Sequence, residues 1–369
     1  MARALEAGGS ERQMREVAKA LDRSKFTPHV GCFRPEGDSR RELEGAGVSV
    51  VHFPIDSFAS TQAASGAFAF VRYIRQHGIR LVHAFDYPAA VFSIPVTRAL
   101  TRAAAVSSQR SHRDLIPGPY RKLVRLTDRL ADAIVVNCEF VRRHLENDER
   151  VPAARIRLCY NGLDPDVFRP LDGPRPPALA RDSLVIAAVC ALRPEKGLST
   201  LLQAFAQVRQ TRSRITLLLV GDGPMREPLQ AQAQALNITG DCVFVSATND
   251  VAPWLQSSDV FVLPSLSEAF SNSLMEAMAC GCCVMASAVG GNPELVRNGE
   301  NGLLFPAADA PALAAALQTV IEDEALRKRL AASGTQFIQN RYSIRAAADR
   351  MGEIYTELIQ RRTGTAREA

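Results

Sequence analysis

The sequence predicts an α/β protein built from two doubly wound, Rossmann-like domains, and three observations predict it. The chain has 369 residues, more than the roughly 250–300 at which a single hydrophobic core stops growing. Short runs of Val, Ile and Leu alternate with stretches of helical spacing in both halves, the pattern of parallel strands joined by crossover helices. Between the halves, "FRPLDGPRPPALARDS" gathers Pro170, Pro174, Pro176 and Pro177, which neither a helix nor a central strand accepts.

Taken in order, the first half offers "PHVGCF", "GVSVVHF", "IRLVHAF", "AAAVSS" and "DAIVVN" as strands, each followed by a helical or loop stretch. The opening "MARALEA" is too short and too polar for a full internal strand. The first strand is therefore expected to be missing or truncated, leaving sheet edge exposed. The second half offers "SLVIAAVCAL", "ITLLLVG", "DCVFVS", "DVFVLP" and "CCVMASAVGG", with "LSTLLQAFAQVR" as a helix. Uninterrupted apolar runs of this kind suit strands covered on both faces. The last helix, "AAADRMGEIYTELIQ", places Met351, Ile354, Tyr355 and Leu358 at helical spacing, so it needs a surface to cover. The expected domains are residues 1–172, completed by 346–369, and residues 181–345, with a linker at 173–180.

Composition fits a folded chain, with 47% hydrophobic and 22% charged residues. No run approaches the ~20 apolar residues that span a bilayer, and the first residues lack a signal-peptide core, so a cytoplasmic protein is expected. The eight cysteines lie in or beside apolar runs, as reduced core thiols do. Cys280, Cys282 and Cys283 lack CxxC spacing, and all six histidines precede residue 145; no metal is expected. Residues 1–175 carry 27 Lys+Arg against 20 Asp+Glu. Arg98, Arg102, Arg110, Arg113, Arg121, Lys122, Arg125 and Arg129 form a basic stretch suited to phosphates, an anionic membrane surface or plain solvation.

In open α/β sheets, ligands bind beyond the carboxyl ends of the strands. Three strand ends of the second half carry chemistry there. "RPEKG" supplies Arg193 and Lys196, cations suited to a diphosphate. "GDGP" supplies Gly221 and Gly223, which permit a tight turn and close approach of a ligand. "SEAFSNSLMEAMACG" supplies Glu268 and Glu276 with Ser271, Asn272 and Ser273 between. Ser273 and Glu276 match the capping-box spacing, which predicts a helix from Ser273 to about Gly281. Its free amides then form an anion site, while Glu276 is either a cap or a ligand for sugar hydroxyls. Together these groups suit a nucleotide sugar.

These motifs, with "NGLDPDVF" (161–168), "GGNPELV" (290–296) and "NGLL" (301–304), resemble the GT-B fold glycosyltransferases of the large retaining family numbered 4. The resemblance implies two Rossmann-like domains facing a cleft, with the C-terminal helix folding back on the N-terminal one. It implies Arg193 and Lys196 on the donor diphosphate, Glu276 on the ribose, Glu268 beside the transferred sugar, and amides around Phe270, Ser271, Asn272 and Ser273 on phosphate or sugar oxygens. Gly8 and Gly9 match its N-terminal glycine loop. A donor-contacting histidine of the family has His112 as its counterpart, with Arg110 a competitor and His83 a second candidate. "DPD" (164–166) matches a metal motif in form, but its setting favours a turn.

The implied function is metal-independent, retaining transfer of a hexose from a UDP- or GDP-linked donor to a hydroxyl acceptor, a glycan or lipid-linked intermediate of cell-surface polysaccharide synthesis. No cofactor beyond the co-substrate and no nucleic acid are expected. Peripheral contact with the inner membrane face is suggested by "PGPYRKLVRLTDRLAD" (117–132). The rivals are a catalytically degenerate nucleotide-sugar binder and a nucleotide-sugar epimerase; a two-glutamate hydrolase would leave the cations without a purpose.

Overall fold

The computed structural model describes residues 1–5, 8–36, 38–55, 61–171, 173–180 and 182–365. Its strands are β1 (Ala2–Ala4), β2 (His29–Arg34), β3 (Ser49–His52), β4 (Leu81–Ala84), β5 (Ala104–Gln109), β6 (Ala133–Val136), β7 (Ile156–Leu158), β8 (Leu184–Val189), β9 (Ile215–Val220), β10 (Cys242–Val245), β11 (Val260–Leu263), β12 (Cys283–Ser287) and β13 (Leu303–Phe305). Its helices are α1 (Gly9–Ala20), α2 (Asp38–Gly45), α3 (Thr61–Gln76), α4 (Tyr87–Leu100), α5 (Gly118–Leu130), α6 (Glu139–Asn147), α7 (Leu198–Arg209), α8 (Arg226–Ala235), α9 (Ala252–Gln256), α10 (Asn272–Ala279), α11 (Asn292–Leu295), α12 (Ala310–Glu322), α13 (Glu324–Arg341) and α14 (Ile344–Thr365).

The chain divides into two units, Met1–Gly162 with everything from Ile344 onward, and Leu163–Ser343. The division falls about ten residues ahead of the Pro-rich run, which lies inside the second unit. Leu163 and Ser343 form a parallel bridge, with the Leu163 amide donating to the Tyr342 carbonyl at 2.8 Å. This bridge draws the "NGLDPDVF" turn into the second unit. There the Asp164 carboxylate accepts the Asp166 amide at 2.9 Å, so the DPD run makes a turn. The Pro-rich stretch is itself anchored, since Arg175 donates to the Ser183 carbonyl at 2.8 Å.

In the first unit, β1–β2–β3 and β4–β5–β6–β7 form parallel sheets. The first strand is present but short, three residues against the six of β2, which is the truncated alternative of the expectation drawn from "MARALEA". Ala2 and Ala4 pair with Cys32 and Arg34. Met1 joins the two sheets, its amino group donating to the His83 carbonyl at 2.7 Å and its carbonyl accepting the Phe85 amide at 2.9 Å. Three residues suffice because Ala2 and Ala4 are small and buried against a neighbouring strand, where backbone pairing rather than side-chain bulk decides. The closing helix α14 packs as expected: Met351, Ile354, Tyr355 and Leu358 share a core with Val17, Leu21, Val106 and Val135.

The second unit holds one six-stranded parallel sheet in the order β10–β9–β8–β11–β12–β13. The winding reverses between β8 and β11, so the loops that follow these two strands emerge side by side at the carboxyl edge, the switch point where doubly wound sheets bind ligands. Phe205, Leu201, Leu217 and Leu313 fill the core beneath. Among the described residues, no helix is long and apolar enough to cross a membrane.

Candidate active site at the switch point

The loop after β8 reads Arg193 to Gly197, and the loop after β11 reads Pro264 to Ser271. The Leu266 amide donates to the Glu195 carbonyl at 2.8 Å, fixing one loop to the other. Gly197 sits at φ +62°, and a Cβ there would collide with the Pro264 carbonyl; glycine alone lets the loops approach this closely. Across the junction the Lys196 ammonium donates to the Glu268 carboxylate at 2.7 Å. Burial, the largest single influence, pushes the lysine pKa down; the charge and hydrogen bond of Glu268, with smaller help from Cys190 and Glu195, together outweigh it and the net shift is upward.

Glu268 is held from behind as well. Ser265 Oγ donates to its Oε2 at 3.2 Å, Ser287 Oγ donates to the Ser265 carbonyl at 2.6 Å, and Asn292 Nδ2 donates to the Ser287 carbonyl at 3.0 Å. Ser265, Ser287 and Asn292 are all fully buried. Sequence reasoning missed this relay, because isolated serines at strand ends carry no pattern; only the pairing of β11 with β12 brings them together. Gly290, at φ +57°, lies against the Glu268 carbonyl, where a Cβ would collide.

The helix that follows corrects the capping expectation. Its N-cap is Ser271, not Ser273: the Ser271 hydroxyl accepts the Leu274 amide at 3.3 Å. The helix therefore begins at Asn272, and Glu276 stands in its second turn, beyond the N3 position from which a capping box closes. Glu276 is only 1% exposed, and a charge so deeply set in a helix needs compensation by a partner or a ligand. Phe270 is buried with its ring 5.5 Å from that of Tyr342, while Asn272 and Ser273 form the first turn, whose amides make an anion site. Cys280, Cys282 and Cys283 are buried free thiols, each held well up from its ordinary pKa by burial. Among the described residues, no group of three or more metal-ligating side chains comes together.

Arg193 projects at the same edge and is the most accessible cation there: its side chain is 64% exposed and meets an acid, Glu195, only at 3.9 Å. Gly223 has another use than the one expected. At φ +155°, the side where a Cβ would stand is filled by the Leu192 carbonyl, so its glycine is explained by the chain's own β8 end, and Gly221 likewise lies on the Cys190 carbonyl.

The structure thus brings Arg193, Lys196, Glu268, Phe270, Ser271, Asn272, Ser273 and Glu276 onto two adjacent loops and one helix start. Gly8, Gly9 and His112 belong to the first unit. Gly8 caps α1 and Gly9 opens it. His112 stacks on His144, ring centroids 4.1 Å apart, with Phe140 at 6.0 Å. His83 is buried, its two ring nitrogens bonded to Tyr355 Oη at 2.7 Å and Ser108 Oγ at 2.8 Å; burial holds it neutral, well below the usual imidazole pKa. Arg110 bonds Asn161 Oδ1 at 2.7 Å and lies over the Phe85 ring.

Comparison with known proteins gives these residues a setting. Residues 174–337 match the family described as glycosyl transferases group 1, and residues 7–167 match Glycosyltransferase Family 4. A D-inositol 3-phosphate glycosyltransferase of Nocardioides sp. is 30% identical over 270 residues, covering 66% of this chain and 58% of the relative. The lipopolysaccharide core biosynthesis glycosyltransferase LpsE of Rhizobium meliloti is 32% identical over 168 residues, covering 46% of this chain and 48% of the relative. The chain thus spans about half to six tenths of those relatives. The structure of Anabaena HepE in complex with UDP and glucose superimposes with a TM-score of 0.83 at 22% identity, covering 96% of this chain and 98% of that one. Parallel sheets with crossover helices in both units, the switch-point constellation and these matches agree: the chain belongs to the group 1 glycosyltransferases of the GT-B fold.

Proposed function

We propose that this chain transfers a hexosyl group, with retention, from a nucleoside diphosphate sugar to a hydroxyl acceptor, a glycan or lipid-linked intermediate of cell-surface polysaccharide synthesis. The observation that carries the reading is the convergence at one switch point of an accessible guanidinium, a Lys196–Glu268 pair and a helix start backed by a buried carboxylate. Arg193 and the first-turn amides of α10 neutralise the diphosphate, a pairing that strengthens as charge grows on the leaving group. Lys196 shares its charge between Glu268 and the phosphates. Glu268 accepts from the hydroxyls of the transferred sugar, and Glu276 takes the ribose diol, which offers two donors to one carboxylate. No metal has a part in this scheme. HepE, solved with UDP and glucose, supports a UDP-linked donor; GDP-linked donors have the same diphosphate chemistry.

The experiment is a donor panel. Purified chain is titrated with UDP- and GDP-linked hexoses in the presence of EDTA and assayed for transfer and donor hydrolysis. One donor is expected to bind and turn over, and Arg193→Ala is expected to weaken nucleotide affinity about tenfold, the ~1.4 kcal/mol of one charge-assisted contact. Tight nucleotide binding without turnover of any donor would favour the degenerate binder, and unchanged affinity in the Arg193 variant would remove the diphosphate assignment.

The acceptor half of the reading includes contact with an anionic membrane. Leu115, Tyr120, Leu123 and Leu126 are exposed on and beside α5, next to Lys122 and Arg129. Not every cation of this stretch is available: Arg98 pairs with Asp132, Arg113 with Asp128 and Glu149, and Arg125 with Glu149. Exposed leucines among cations are the composition of an interfacial helix. Co-sedimentation with vesicles containing phosphatidylglycerol is expected for the wild type and is lost in Leu123→Ser/Leu126→Ser. Equal sedimentation of the two proteins, or none of the wild type, would sink the membrane contact.

A further inference from the structure

The first unit carries a second constellation that the donor site does not use. A cavity of about 160 Å³ is lined by Arg3, Phe33, Arg34, Tyr87, Pro88 and Tyr120, with Ile55 beneath. It lies at the carboxyl ends of β2 and β3 and at the start of α4, the edge at which a doubly wound sheet receives ligands. Its two arginines are exposed, and among the described residues neither guanidinium has a hydrogen bond or ion pair. Asp86, which adjoins Arg3, acts on it by charge but makes no ion pair with either guanidinium. It spends Oδ2 on the Arg3 amide at 2.6 Å and Oδ1 on the Ala89 amide at 2.8 Å, and burial pushes its carboxyl pKa up. Tyr87 and Tyr120 line the cavity with ring centroids 5.7 Å apart.

These features specify a ligand. Two unpaired guanidinium groups beside one small cavity are suited to an anionic group with several oxygens, a phosphate or a carboxylate, which arginine binds bidentately. Paired tyrosine rings offer an apolar face with a hydroxyl at its edge, suited to the C–H face and hydroxyls of a sugar ring. A cavity of about 160 Å³ has room for one ring. We infer that this cavity is a binding subsite for a sugar or cyclitol ring bearing an anionic group, with Arg3 and Arg34 on the anion and Tyr87 and Tyr120 on the ring. The inference rests on the transferase reading in one respect only: on that reading the bound ring is the acceptor, or the acceptor's terminal residue.

The test is isothermal titration of the full chain with glucose 6-phosphate, glucuronate, glucose and inorganic phosphate. At least one of glucose 6-phosphate and glucuronate is expected to bind ten or more times more tightly than glucose, and the arm that does so identifies phosphate or carboxylate as the anion. Arg3→Gln/Arg34→Gln should abolish that preference, Arg34→Lys should keep part of it, and Tyr120→Ala should weaken both anionic sugars. The thermal unfolding midpoint of each variant shows that it folds. Equal binding of charged and neutral sugars overturns the subsite. Inorganic phosphate binding as tightly as glucose 6-phosphate also overturns it, leaving a bare anion patch without a place for the ring. A separate titration with the panel of UDP- and GDP-linked hexoses reads the donor site: failure of every donor with the sugar phosphate still bound rejects the transferase reading and leaves the subsite standing, and the reverse result rejects the subsite alone.

Discussion

Glu268→Gln is expected to lower kcat/KM for transfer by about 10²–10³, the usual loss when one group stabilising developing charge is removed, while leaving the second unit folded. The amide is the size of the carboxylate and retains a partner in Ser265, whose hydroxyl now lies 3.2 Å from Oε2, so little repacking follows. What changes is charge. Lys196 is four-fifths buried, and its ammonium is held above its ordinary pKa against burial chiefly by the charge and hydrogen bond of Glu268, with Cys190 and Glu195 adding less. With a neutral partner the larger part of that upward influence is lost while burial, the largest influence, remains, so the lysine pKa falls in the variant. The sign can be checked. Wild-type activity should hold across the alkaline range until the raised lysine pKa is reached, whereas residual activity of the variant should decline at lower pH as Lys196 loses its proton. An alkaline limb that does not move, or a variant with more than a third of wild-type activity, would mean that the pair is structural and takes no part in transfer. Stability should fall by about 1–3 kcal/mol for a buried cation that loses its charged acceptor, read from the urea midpoint.

The sequence made the architecture legible because parallel strands covered on both faces leave unbroken apolar runs, and "VIAAVCAL", "ITLLLV" and "VFVL" carry that pattern without ambiguity. It also showed which loops bring cations and carboxylates to the strand ends, since these are visible as residues. What it hid are matters of register and of neighbours distant in the chain. Three serines at 267, 271 and 273 compete for the cap of α10, and the spacing to Glu276 favoured Ser273; the backbone turns into the helix two residues earlier, so Ser271 caps it. That shift is chemically informative, because it relieves Glu276 of a capping role. "MARALEA" is too short and too polar for a full internal strand, and the strand it forms is three residues long; apolar length did not show that Ala2 and Ala4 pair with β2. His83 looked like a site residue because it ends an apolar run, yet its partners, Tyr355 and Ser108, lie 272 and 25 positions away. The relay from Asn292 through Ser287 and Ser265 to Glu268 joins positions that only the pairing of β11 and β12 brings together.

That relay ends beside Gly290, where a single methyl group should be as damaging as the loss of a charge. Gly290→Ala adds two costs. At φ +57° an L-residue is disfavoured by roughly 1–2 kcal/mol, and the new Cβ would also run into the Glu268 carbonyl, which the 264–268 loop can escape only by moving. Displacing that loop carries the Glu268 carboxylate away from Ser265 and Lys196, and a misplacement of about 1 Å can cost 10²-fold in rate. The expected result is destabilisation of about 2–4 kcal/mol, within the range of backbone strain combined with overpacking, together with a 10²-fold or greater loss of transfer. Gly299→Ala separates the two costs. Gly299 also has a positive φ, +78°, but a Cβ there meets nothing within 4 Å, so this variant bears the conformational cost without the collision. It should lose about 1 kcal/mol and keep its turnover. If the two alanine variants unfolded at the same urea concentration and transferred sugar at the same rate, the close packing of the 290 turn on Glu268 would have no part in holding the site, and the positioning of that carboxylate would have to come from Lys196 and Ser265 alone.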